Sequence, residues 1–245
     1  MTYVTFWKTI LRGMAMVRKA VGKVERAFLQ KYGVDASALQ GVCLLAYEKG
    51  EYLSREGMPF AKIYIVLHGK AKVFCDVENG RRLLISFYEE GGMIGDLELM
   101  TDMEVASASV QALTEGACIA IPLQKENRTY LRENVAFLNI VGKSLANKLE
   151  RSSKNGAHII LYPLEERLCS YIDVTVENDL FEERLTEVAE VIGTSYRHLL
   201  RELNRLVENG ILEKCGKHYR IKDRAALKQK SRDFYHPLER DLVGG

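Results

Sequence analysis

Residues 194–212 read "TSYRHLLRELNRLVENGIL", and the spacing of the leucines here decides how the C-terminal third of the chain folds. Leu199, Leu203, Leu206 and Val207 recur at the three- and four-residue steps of a helix face. Arg197, Arg201, Asn204, Arg205 and Glu208 are left on the other side. Ser195 stands where its hydroxyl can accept an orphan N–H of the first turn, and Gly210 where such a helix closes. Backwards from this helix, "LTEVAEVIG" (185–193) places Val188, Ala189 and Ile192 inward, offers Thr186 as a cap, and ends in Gly193, which permits a sharp turn between two helices. Forwards from it, "ILEKCGKHYRIKD" (211–223) predicts two strands around Gly216-Lys217, a two-residue hairpin of type II′. Lys214, Lys217 and His218 fall on that wing, where phosphates would meet it. A helix-turn-helix with a wing predicts double-stranded DNA as partner, the arginine face lying in the major groove.

The distribution of charge agrees. The 245 residues carry a formal net charge of +2, but from Arg184 to Arg232 there are 12 Lys/Arg against 6 Asp/Glu, about +6, leaving about −4 elsewhere. With 47% hydrophobic and 28% charged residues the chain can bury a real core in one or two domains and is not disordered. Cys43, Cys75, Cys118, Cys169 and Cys215 are odd in number and never form C-x-x-C. That argues against a disulfide framework, a zinc ribbon or a local iron–sulfur ligand set, and a reduced cytoplasm is the expected setting. His68, His158, His198, His218 and His236 show no H-x-H or H-E-x-x-H spacing, so neither a metal, a cofactor nor an enzymatic site is predicted. His68, alone in a β region, leaves a cupin-like metal- or ligand-binding sensor as the alternative, with a C-terminal domain that binds protein instead of DNA.

No run approaches the roughly 18 apolar residues of a membrane span. Near the start, Phe6, Ile10, Met14, Val17, Val21, Val24 and Phe28 mark an amphipathic helix with a basic outer face. It is expected to pack on the domain that follows, although its pattern is also compatible with membrane contact. No uninterrupted apolar core or small-residue cleavage site supports a signal peptide, and Met14 and Met16 offer alternative starts.

Between about Gly41 and Pro122 the period changes. In "YIVLHGKAKVFCDVENGRRLLISFYEEGGMIGDLELM" the runs Ile63–Val66, Ala71–Phe74 and Leu83–Phe87 predict strands, and Asn79-Gly80 a hairpin. An antiparallel barrel or roll follows. The nearby cations Lys72, Arg81 and Arg82 are expected to be solvated. From Asn127 to Ser153 one long helix is predicted, because Leu131, Val135, Leu138, Gly142, Leu145 and Leu149 are spaced alternately by four and three, the seam of a parallel homodimer. "SKNGAH" (153–158) then predicts a break and hinge, and Pro163 the first turn of a further helix. The fold class is α+β, with a β-roll domain and N-terminal helix in 1–126, a dimerisation helix and hinge in 127–158, and a winged helix-turn-helix in 159–245.

From about residue 40 onward the chain resembles the CRP/FNR family of bacterial transcription regulators, and "GTSYRHLLREL" is similar to its YeiL branch in particular. The marks are "YIVLHGKAKVF", "GGMIGDLELM", the long helix and "LTEVAEVIGTSYRHLLREL". The resemblance implies a cyclic-nucleotide-binding-like β-roll and a dimer on palindromic DNA that contacts RNA polymerase. The base-reading slots of the family fall on Tyr196, Arg197 and Arg201, where it often has Arg, Glu and Arg. Arg197 in place of the acid implies a different half-site, with guanine where Arg197 or Arg201 reaches O6 and N7. In cyclic-AMP-binding members a Gly-Glu pair holds the sugar, and an Arg-Ser pair eleven and twelve residues after that glycine holds the phosphate. Here those positions are Gly95-Asp96 and Ala106-Ser107, with Leu97 beside them. The phosphate arginine is missing and Asp96 adds a negative charge. A buried phosphodiester would lack a cationic partner, so cyclic AMP is not the expected effector. An unknown small molecule or no effector at all remains open. Cys75, Cys118 and Cys169 read as buried small hydrophobes, and Cys215, between Lys214 and Lys217, as the candidate reactive thiol.

Overall fold

The computed structural model describes residues 18–76, 82–176 and 178–232. These divide into two compact units, one of 18–73 and 87–149, the other of 150–232 with the described residues between 74 and 86.

The N-terminal β strands form two sheets. Strand β9 (Gly116–Pro122) lies between β2 (Cys43–Tyr47) and β4 (Lys62–His68), antiparallel to both. Its sequence, GACIAIP, is apolar without alternation because it is buried on both faces, and Ala117 to Ile121 have no accessible surface. Strands β1 (Arg18–Ala20) and β7 (Met93–Ile94) complete the order β1-β2-β9-β4-β7. The second sheet runs β3-β8-β5-β6, from β3 (Tyr52–Ser54), β8 (Ser109–Ala112), β5 (Ala71–Asp76) and β6 (Arg82–Tyr88). The predicted strands are all present, each slightly longer than its apolar run. The Asn79-Gly80 hairpin and Arg81 lie outside the described residues. Lys72 is buried, contrary to the expectation of a solvated charge, while Arg82 pairs with Asp76 at 3.3 Å.

The N-terminal amphipathic helix is shorter than predicted. Helix α1 covers Lys23–Lys31, and Arg18–Ala20 is instead strand β1, paired with β2. Pairing with a ready sheet edge outweighs helical periodicity there, and residues 6–17 of the stripe lie outside the described residues. Leu29 and Tyr32 are buried, whereas Val24 is exposed.

The long helix is also divided differently. Helix α2 (Asp96–Thr101) precedes it, and α3 (Lys125–Glu133) is separated by Asn134 from α4 (Val135–Leu161). Asn134 ends one helix in an extended conformation and starts the next, its Oδ1 accepting from the Phe137 N–H at 3.1 Å while its amide donates to the Gly33 carbonyl at 2.7 Å. Leu131 therefore sits on α3, and with no accessible surface of its own it has nothing to offer a partner chain. The predicted break at Ser153–His158 does not occur. Asn155 and Gly156 each cost a helix only about 1 kcal/mol, and the chain stays helical until Leu161, just before Tyr162-Pro163, where the proline restricts its predecessor.

In the second unit α5 (Leu164–Thr175) is followed by β10 (Leu180–Phe181), α6 (Leu185–Val191), α7 (Tyr196–Glu208), β11 (Leu212–Cys215), β12 (His218–Ile221) and α8 (Arg224–Lys230). Leu168, Ile172, Val188, Ile192, Leu199, Leu203, Leu206 and Leu227 have no accessible surface. Each such side chain contributes about 1.5–3 kcal/mol of burial.

Gly69 follows β4 at φ +97, and a Cβ there would lie 2.9 Å from the Glu115 carbonyl oxygen, the Gly116 Cα and the Tyr47 hydroxyl. Gly69→Ala combines a disfavoured backbone region with a clash against main chain, at a cost of about 1–3 kcal/mol. Thermal unfolding should show a Tm lowered by several degrees; an unchanged Tm would mean that the turn relaxes without cost.

Candidate DNA interface and effector site

Helix α6 ends in a Schellman motif. Thr194 N–H donates to the Ala189 carbonyl at 2.8 Å and Gly193 N–H to that of Glu190 at 3.1 Å, with Gly193 at φ +70. The buried Arg167 of α5 donates from Nη1 to the carbonyl of Ile192, the residue that closes α6. Neither the sequence pattern nor the charge count pointed to that contact. Helix α7 then begins with Ser195 as its cap, the hydroxyl accepting from the His198 N–H at 3.2 Å. It ends in a second Schellman motif, Ile211 N–H to Leu206 and Gly210 N–H to Val207, both 3.0 Å, with Gly210 at φ +73. Thr186, by contrast, is not a cap. It lies inside α6, whose first residue is Leu185, with Arg184 at the cap position.

Leu199, Glu202, Leu203 and Leu206 form the buried face of α7. Ser195, Tyr196, Arg197, Arg201, Asn204 and Arg205 are exposed. Arg197, Arg201 and Asn204 follow one another by four and three residues, a single stripe; Glu208 continues it. Arg197 and Arg201 form no ion pair or hydrogen bond among the described residues. Arg205 differs, since its Nη1 lies 2.9 and 3.2 Å from the two oxygens of the buried Glu202. Strands β11 and β12 pair antiparallel with Cys215 opposite His218, and the two-residue turn has Gly216 at φ +65. This wing gains a third strand, β10, that no sequence pattern announced. Lys214, Lys217 and His218 are exposed on it.

The five residues predicted to form an effector site differ in exposure and in the contacts they make. Gly95 is left-handed at φ +96, and a Cβ on it would strike the Phe60 ring at 2.4 Å. Asp96, 2% exposed, accepts from Lys148 Nζ at 2.7 Å to each oxygen and from the Ser144 hydroxyl at 2.9 Å. Leu97 is exposed and Ala106 is buried, its N–H bonded to the Met58 carbonyl. Ser107 donates both its N–H (2.9 Å) and its hydroxyl (2.6 Å) to one oxygen of the buried Glu98. Both donors of Ser107 are thus occupied by a carboxylate of the chain itself. Sequence reading missed Glu98, Ser144 and Lys148, because nothing in their spacing joins them to Asp96 and Ser107.

Burial lowers the pKa of the imidazole of His68, against an opposite pull from Glu115. It also raises the Cys118 thiol and pushes that of Cys169 up to about 12, so both are protonated at neutral pH. Cys75 and Cys215 are partly exposed, which for Cys75 departs from the expected burial. Among the described residues no cluster of His, Cys, Asp and Glu is suited to a metal ion, and no helix is long and apolar enough to cross a membrane.

A β-roll joined in sequence to a winged helix-turn-helix defines a class, that of regulators pairing a sensor-type domain with a DNA-binding one. Residues 44–132 match the cyclic nucleotide-binding domain family and residues 157–230 the Crp-like helix-turn-helix domain family. The regulatory protein YeiL of Escherichia coli O157:H7 is 33% identical over 203 residues, 83% of this chain and 91% of that protein. A CRP-like cAMP-activated global transcriptional regulator of Mycobacterium tuberculosis is 22% identical over 82% of this chain and 95% of its own length. Among solved structures, the c-di-GMP responsive global regulator CLP of Xanthomonas campestris superposes with a TM-score of 0.63 at 18% identity, covering 80% of this chain and 99% of that one. The chain belongs to the CRP/FNR family of transcription regulators, in its YeiL branch.

Ser195→Ala removes the α7 cap and should cost about 1 kcal/mol. Chemical denaturation should register that loss while Ser195→Asp restores most of it; equal stability of the alanine variant would leave the cap without weight.

Proposed function

We propose that the protein reads a palindromic operator as a homodimer, α7 of each protomer lying in the major groove, without control by cyclic AMP. The observation that carries this reading is the exposed stripe of Arg197, Arg201 and Asn204 on a helix capped at both ends and flanked by a basic wing. Uncommitted arginines suit the bidentate edge of guanine, Tyr196 a thymine methyl or a phosphate, and Lys217 the backbone. Arg205 stands closer to a positioning role, since part of its fork is committed to Glu202.

Support for the dimer comes from α4. Val135 and Leu149 are each 70% exposed, and Leu138, Gly142 and Leu145 are open or half-open on the same stripe. A Cβ at Gly142 would meet nothing within 4 Å, so another helix can approach closely there. The domain plan that fits is a sensor domain of 1–126, a dimerising segment from 127 and a DNA-binding domain to 245, with α4 continuous to Leu161 in place of a hinge at 153–158. Independence from cyclic AMP is supported by Ala106 where a phosphate arginine would stand and by Glu98 on the Ser107 donors. Membership of the regulator family supports contact with RNA polymerase and a cytoplasmic location.

Selection of bound sequences from a random DNA pool should enrich a two-fold palindrome with half-sites about one helical turn apart. Added cyclic AMP should change neither the motif nor the affinity. Failure to enrich any motif, even with cell-extract metabolites present, would sink the DNA reading.

On the selected site Arg201→Ala should lose about 1–3 kcal/mol and relax base choice at one position. Lys217→Ala should weaken all sequences alike and flatten the salt dependence. Equal losses of the Arg201 variant on specific and random DNA would remove it from the base-reading set.

A further inference from the structure

Helix α4 carries two adjacent stripes with opposite fates. Phe137, Val141 and Ser144 are buried, and Lys148, the next residue in that series, is largely covered, its side chain 20% exposed. Leu138, Gly142, Leu145 and Leu149 each follow one of them directly in sequence. They are therefore turned about 100° around the helix axis. The rotation of α4 on the β domain accordingly determines where the outer stripe points.

Hydrophobic contacts fix that rotation loosely, because apolar side chains tolerate repacking. Directional polar contacts fix it more sharply. On this helix they converge on one carboxylate: Asp96, at the first turn of α2, takes Ser144 on Oδ2 and Lys148 on both oxygens. Lys148 also donates to the Met93 carbonyl at 2.8 Å, and its ammonium stands 5.0 Å from the centre of the Tyr88 ring. Asp96 itself is held by the unusual backbone of Gly95, where only glycine escapes both the positive φ and the Phe60 ring.

We infer that Asp96, Ser144 and Lys148 form a built-in clamp that fixes the azimuth of α4, so that Leu138, Leu145 and Leu149 present a seam to a second copy of the chain. They are positioning residues for dimeric DNA binding. The clamp is part of the chain, so the seam is set without a ligand. This rests on the dimer reading above, and the two can fail separately.

The full-length protein is compared as wild type, Asp96→Asn, Lys148→Met and the double variant, with the dimer dissociation constant read by sedimentation and the operator affinity beside it. The double variant buries no uncompensated charge, and thermal unfolding beside the wild type checks that its fold is kept. Loss of the clamp should weaken dimerisation by roughly tenfold or more in the single and double variants alike, with operator affinity falling in parallel. Ile119→Val, a core change elsewhere in the β domain, serves as a stability control and should leave the dissociation constant unchanged. If the double variant dimerises like the wild type while Lys148→Met does not, the effect comes from an unpaired buried charge and the clamp is wrong. A Leu145→Glu variant that dimerises like the wild type overturns the seam and the clamp with it. If Leu145→Glu separates the protomers and all three clamp variants still pair normally, the seam stands and the clamp alone falls.

Discussion

A carboxylate taken out of water must be met by a cation and by further donors, or its desolvation goes unrepaid. Asp96 is such a group, and the way its demand is met organises the N-terminal unit. Its position, one residue past a left-handed glycine, belongs to the β domain; Ser144 and Lys148 belong to the long helix. Satisfying the one therefore ties down the other. Glu98, two residues along α2, is met instead by neutral donors, the N–H and hydroxyl of Ser107.

The DNA-binding unit solves a different problem, how to leave basic side chains free on a helix that must also be held. Here the hold is almost entirely apolar and backbone: Leu199, Leu203 and Leu206 underneath, a serine cap in front, and left-handed glycines behind α6 and behind α7. Arg167 adds one charge-assisted bond to the last turn of α6. No arginine of the outer stripe is needed for that support, except that Arg205 neutralises Glu202. The exposed side chains of α7 can therefore be altered largely independently of its stability.

Legibility in the sequence followed the range of the physics. The helix-turn-helix could be read because its determinants are local: a leucine period, Ser195, Gly193 and Gly210 each act over only a few residues. The wing was half legible; Gly216-Lys217 marked its hairpin, but β10 pairs with β12 across some forty residues and carries only two residues of pattern. The four-three spacing from Leu131 to Leu149 predicted the outward stripe but ran straight across Asn134, whose cap on α4 depends partly on a bond to Gly33, about a hundred residues away. Thr186 looked like a cap, and the observed start is at Leu185. Lys148 was illegible, since only the folded roll brings residues fifty positions apart into one ion pair.

The same range explains why a shared fold does not settle the effector. A cAMP-activated relative and a c-di-GMP responsive structural neighbour have different ligands named for them, so what a β-roll of this kind preserves is the arrangement of its sheets and its long helix, while the few polar side chains lining it decide what enters. Those side chains contribute little to sheet pairing and can change without disturbing it. In this chain Ala106 stands where cyclic-AMP-binding members have the phosphate arginine, and the carboxylates of Asp96 and Glu98 take partners from within the protein. An anion arriving at Ser107 would have to displace Glu98 from two short hydrogen bonds and leave that carboxylate buried, a cost of about 1–3 kcal/mol or more before any favourable contact is made.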